Sequence, residues 1–223
     1  MIDVINELYL FSHLSSKRQR FLELILYMYA PDSRVIKLKG LCKTRWTERH
    51  ECLETIRSLY VYIFTALHAT LESREYPHIE EAGGDCVWPG DAETRIKAEG
   101  LKHSLMNGSN IIALVVLLNG LDPLKGLSAK LQKCDADIVA AYKNTASSAE
   151  DIQSQRETFD TVWEQWFKEA ERITEDNGSE IKPPRTYEHD LVKNNWRRVT
   201  CQQMSSYNAV NLCLWQYVVE KQY

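Results

Sequence analysis

Apolar positions along this chain recur at steps of three and four, the interval of an amphipathic helix. Ile2, Ile5, Leu8 and Leu10 form a first run. Ser15-Ser16 supplies a cap for a second, Phe21 to Met28, and Pro31 stops it. The clearest pattern runs from Thr47 to about Arg74, where Leu53, Ile56, Leu59, Tyr60, Ile63, Phe64 and Leu67 share a face. Glu48 and Glu51 stand near its start and complement the helix dipole. Pro77 and Gly83-Gly84 end it, and Tyr76 to Gly90 reads as a loop. Asp91 predicts an N-cap for a helix reaching Met106, Asn107-Gly108 a stop, and Ser109 a cap for the apolar run Ile111 to Leu118. That run is assigned to helix because its neighbours are helical. Asp122-Pro123 reads as a new cap with proline at the first helical position. Leu127 to Asp176 holds neither Pro nor Gly. Leu131, Ile138, Val139, Ile152, Phe159, Val162, Trp163, Trp166, Phe167 and Ile173 fit one or two long helices there, with a break expected between Thr145 and Ser148. Asn177-Gly178-Ser179 and Pro183-Pro184 mark a loop, and a last periodic stretch spans Ser205 to Lys221.

The expected architecture is an all-α multi-helix bundle, a single helical domain over 1–223. Its parts are lead-in helices (1–33), a basic connector with a long helix (34–76), a helical core (91–176) and a C-terminal segment (177–223). Only 9 Gly and 6 Pro in 223 residues disfavour a turn-rich β protein. With 44% apolar and 26% charged residues the chain is expected to fold. Trp163, Trp166 and Trp215 are expected as core anchors. The net charge of −4 excludes a basic coat over the whole chain and leaves only a local patch. That patch is Arg34, Lys37, Lys39, Lys43, Arg45 and Arg49, with Glu48 the one acid among them. Residues 150–180 carry ten acids and three basic residues, a net of −7. No run approaches the ~20 apolar residues of a membrane span, and MIDVINELYL lacks the marks of a signal peptide. The six cysteines are scattered without zinc spacing and read as reduced thiols.

Catalytic signatures are missing: no phosphate loop, no G-x-G-x-x-G, no H-E-x-x-H, no G-x-S-x-G. The six histidines form no i, i+3 or i+4 pair, and one such as His68 reads as a structural residue. Glu164 and Glu171 offer a metal pair on paper, but the reading favoured by ordinary charge patterning is a solvated helix face. Cys42 and Cys52 flank the basic stretch, which would lower a thiol pKa, yet no base partner is identifiable. No catalytic residue, metal, cofactor or small-molecule substrate is therefore expected. The unusual stretch is Leu41-Cys42-Lys43-Thr44-Arg45-Trp46-Thr47-Glu48-Arg49-His50. A helix start offers free N–H groups to phosphate, arginine binds phosphate through two N–H groups, and tryptophan stacks on an unpaired base. Arg45 and Trp46, with Lys43, Arg49, Lys39 and Lys37, are the candidate DNA-binding residues. The competing reading makes Trp46 a core anchor.

That stretch resembles the Thr-Arg-Trp signature of hAT-superfamily transposases, closest to their domesticated zinc-finger MYM-type and 52 kDa repressor of the inhibitor of the protein kinase-like relatives. Further matches follow in order: Leu8-Tyr9 through Ser16-Lys17-Arg18, Leu127-Ser128-Ala129-Lys130-Leu131-Gln132 with Asp137-Ile138, Arg156, Pro184-Arg185 with Asn194, and Tyr207 onward. The chain departs from the family pattern at Leu214-Trp215-Gln216-Tyr217 and at His189. The resemblance implies the helical insertion of an RNase H-like transposase. The family's two metal-binding Asp would then fall before Met1 and its Glu after Tyr223, so the chain is expected to be a non-enzymatic fragment of a larger hAT-like protein or a degenerate gene product. It also implies that Arg45 and Trp46 contact DNA, the Trp on a flipped base, and that the protein is nuclear. The expected partners are DNA, bound weakly through backbone and an unpaired base, and a protein or second copy, with no membrane. The alternative is a protein-interaction or dimerisation module acting in transcriptional regulation without DNA contact, docking through the acidic face of 150–180.

Overall fold

A computed structural model of the chain describes residues 1–31, 37–41, 46–83, 90–131 and 138–181. Among them it contains only helices and connecting turns, an all-α bundle as the periodicity predicts. The helices are α1 (Ile2–His13), α2 (Ser16–Tyr29), α3 (Trp46–Ser58), α4 (Tyr60–Leu71), α5 (Pro77–Gly83), α6 (Ala92–Met106), α7 (Gly108–Leu131), α8 (Ile138–Glu157) and α9 (Phe159–Asp176).

Several boundaries follow from local chemistry. Ser15 caps α2, its hydroxyl accepting from the Arg18 N–H at 3.5 Å. Asp91 caps α6, accepting from the Thr94 N–H at 2.5 Å, and hydrogen bonding from the Thr94 side chain, then from that N–H, holds its carboxyl below the usual range. α9 ends at Asp176 with Asn177 as its cap, and Gly178 beyond it has a φ of 64°, a left-handed conformation open to glycine because it has no Cβ to clash. The N–H groups of Gly178 and Ser179 donate to the carbonyls of Glu175 and Thr174 at 3.0 and 2.9 Å.

α7 is the centre of the bundle: α3, α6, α8 and α9 pack against it, and α4 packs on α2 and α6. Ile5, Leu8, Ile25, Leu53, Ile56, Ile63, Leu105, Ile111 and Leu114 all fall into one buried core. Burying each aliphatic side chain contributes roughly 1.5–3 kcal/mol. Arg18 ties the lead-in helices to α6. Its Nε donates to the Phe11 carbonyl at 2.5 Å, its Nη1 donates to Thr94 Oγ1 at 3.2 Å, and its guanidinium lies 4.7 Å from the Phe11 ring centroid. Trp163 and Phe167 are buried on the inner face of α9, and Trp166 packs at the edge of the core.

The structure corrects five expectations. The long helix from Thr47 divides at Leu59 into α3 and α4. Pro77 opens α5 rather than only ending a helix, as proline at a first helical position does without losing a bond. α7 runs through Pro123 without the break that Asp122-Pro123 suggests. The second break falls at Thr158, while α8 continues through Thr145 to Ser148. Lastly, Gly108–Ala129 within α7 is a 22-residue segment long and apolar enough to cross a membrane by length and composition. Its Ile111, Leu114, Val115 and Leu118 are buried in the core, and its Asn119 and Lys125 bond to neighbouring helices. It is the helix on which α3, α6, α8 and α9 pack. Trp215 and the stretch Ser205 to Lys221 lie outside the described residues.

Candidate nucleic-acid interface

α3 opens at Trp46, so the Thr-Arg-Trp sequence leads into a helix start. Arg34, Lys43 and Arg45 lie outside the described residues, as does the Trp46 side chain. The described part of the connector, residues 37–41, lies along α1, α2 and α3. Leu38 and Leu41 pack against the core. Gly40 sits close to Tyr9 of α1: a Cβ there would come 3.0 Å from the ring. Lys37 Nζ lies 3.6 Å from Glu23 of α2. Lys39 Nζ pairs with Glu51 of α3 at 2.7 Å, and its carbonyl accepts from the Cys52 thiol at 3.1 Å. Two of the six cations of the basic patch thus already face carboxylates. Both pairs are largely exposed, where ion pairs contribute ~0–1 kcal/mol, so phosphate can compete for either lysine. Arg49 is half-buried on the first turns of α3 and has an interaction within the fold.

Cys52 does not carry the lowered pKa that its basic surroundings suggest. It is fully buried, and burial pushes the thiol up to about 11, against a weaker opposing pull from the Lys39 charge. Cys42 lies outside the described residues. Among the described residues no three His, Cys, Asp or Glu are placed to hold a metal ion. Glu164 is exposed and Glu171 is engaged within the fold. His68 bonds Tyr76 Oη at 3.0 Å through Nδ1 and lies 3.7 Å from Glu75 through Nε2, consistent with a structural role.

The sequence reading missed a polar seam behind the connector. His50, Glu54 and Arg57 lie along one side of α3 at steps of four and three. Lys125 of α7 donates to both Glu54 oxygens at 2.7 and 2.8 Å, which holds the Glu54 carboxyl below its ordinary pKa. Arg57 pairs with Glu169 of α9, and Asn119 Nδ2 of α7 donates to the same carboxylate at 3.1 Å. His50 is 3% exposed and lies 3.5 Å from both Glu54 and Asp122. The signal was present as the 50/54/57 spacing. Its partners lie about seventy or more residues away, beyond the reach of periodicity.

A groove of about 530 Å³ between the end of α4 and α6 is lined by Leu71, Arg95, Ile96, Lys102, His103 and Met106 among others. Glu72 and Glu99 balance its cations. Searches of protein-family models, of curated proteins and of solved structures find no match to this chain.

Proposed function

We propose that the chain is a non-catalytic, transposase-derived helical domain that contacts DNA weakly at residues 34–49 and associates with protein through its helices. The observation that carries this reading is the start of α3 at Trp46, immediately after Arg45. Helix-start N–H groups, a guanidinium and an indole then occupy consecutive positions, a set suited to a phosphate beside a displaced base. The resemblance to hAT transposases supports the same residues, a nuclear location and the lack of enzymatic activity. The protein-interaction reading draws on the pairing of Lys37 with Glu23 and Lys39 with Glu51, which lowers the charge available to DNA.

The test is fluorescence anisotropy on gapped and intact duplexes, beside melting curves. Unpairing a base costs least where it is already free. Trp46→Ala is expected to weaken binding to gapped DNA much more than to intact duplex, and Arg45→Ala to weaken both. A folded Trp46→Ala protein that binds gapped DNA like wild type removes the DNA reading and leaves the interaction module. A fall in melting temperature that accounts for any loss of binding makes Trp46 a core anchor.

A further inference from the structure

We propose that His50 makes the junction between α3 and α7 a proton-sensitive latch. The inference goes beyond the DNA reading and does not depend on it. His50 is 3% exposed, and neither ring nitrogen has a hydrogen-bond partner. Nδ1 lies 3.5 Å from Glu54 Oε2 on its own helix, and Nε2 lies 3.5 Å from Asp122 Oδ1 on α7. These approaches are within ion-pair range but lack hydrogen-bond alignment. A neutral imidazole has one N–H, so it serves one carboxylate and turns a lone pair toward the other; an imidazolium offers a proton to each. Imidazole is the side chain that changes charge in the physiological range.

The other charged groups of the seam leave this choice to His50. Lys125 of α7 already holds both Glu54 oxygens. Arg57 and Glu169 pair with each other one turn further along α3. Asp122 keeps a side chain that is 70% exposed, so it can turn to water when the imidazole is neutral or close on Nε2 when it is charged. Charged His50 therefore adds a tie from the beginning of α3 to Asp122 of α7 beside the one that Lys125 makes, and neutral His50 withdraws that tie. His50 is four residues from Trp46, where α3 begins, so the latch governs how firmly the start of α3 is held.

The test uses the full chain as wild type, His50→Gln and Asp122→Asn, melted at pH 6.0 and 8.0. The comparison cancels the titration of the other histidines. The sign follows from the charged form being the latched one: its stabilisation is present at the lower pH and lost as pH rises. The wild-type advantage over His50→Gln is expected to be at least about 2 °C larger at pH 6.0, a shift resolvable for a chain of this size. Asp122→Asn is expected to lose most of that pH dependence. If His50→Gln does not fold, imidazole NMR and hydrogen exchange on wild type decide the matter. Protonation of both His50 nitrogens at the lower pH, with α3 amides better protected there after correction for intrinsic exchange, supports the latch. A gap that is the same at both pH values, or one fixed neutral tautomer throughout, overturns it.

Discussion

Cys52 shows how a tertiary contact reverses a residue's expected chemistry. Its basic neighbours suggest a lowered thiol pKa, but burial dominates and raises it to about 11. Since only the thiolate reacts, site-resolved alkylation at pH 7.5 is expected to label Cys52 many-fold more slowly in the folded protein than in urea. Tyr60 carries a second residue-scale prediction. Its hydroxyl is buried and donates to the Leu105 carbonyl at 2.7 Å, joining α4 to the end of α6, and burial keeps the phenol protonated. Tyr60→Phe removes the donor and leaves that carbonyl without it, so urea unfolding is expected to show a loss of about 1–2 kcal/mol.

Between elements, the pairing of Glu54 with Lys125 couples α3 to the central helix. The Glu54 carboxyl is held below its ordinary pKa, chiefly by the Lys125 hydrogen bond. Its contribution is therefore present above the unfolded carboxylate range and lost as pH falls through the folded value. The melting-temperature advantage of wild type over Glu54→Gln is expected to shrink between pH 6 and pH 3. α7 carries its own internal cost at Pro123, which lacks the N–H that a helix interior uses. Packing on both sides, including Leu118 in the core and Lys125 on Glu54, holds the helix through it. Pro123→Ala is expected to raise stability by about 1–2 kcal/mol, the restored bond being partly offset by a freer unfolded chain. A loss of stability in chemical denaturation would show that the proline shapes the path of α7.

For the whole molecule, the net charge of −4 and the acidic run at 150–180 weaken the attraction to a polyanion. DNA affinity is expected to be about micromolar and to fall with salt, each neutralised phosphate contributing about −0.9 to the log–log slope on duplex DNA. A slope near zero would leave the connector without a phosphate role. The purified chain is also expected to show no nuclease or strand-transfer activity. Divalent-metal-dependent cleavage of a nicked or hairpin DNA, abolished by one Asp or Glu substitution, would refute that.

Punctuation that acts within a few residues was readable in the chain itself. Ser15, Asp91 and the Asn177-Gly178 pair mark helix ends because a cap or a left-handed turn satisfies backbone groups three to five positions away. The inner face of α9 was readable for the same reason, since its spacing alone separates Trp163 and Phe167 from the acids around them. The divisions at Leu59 and Thr158 carry no proline or glycine and were not readable. Nor was the passage of α7 through Pro123, which depends on what surrounds the helix rather than on its own residues. The seam of His50, Glu54 and Arg57 belongs to the same class. Its charges are matched by Asp122, Lys125 and Glu169, and which distant carboxylate or ammonium arrives beside a side chain is decided only when the helices pack.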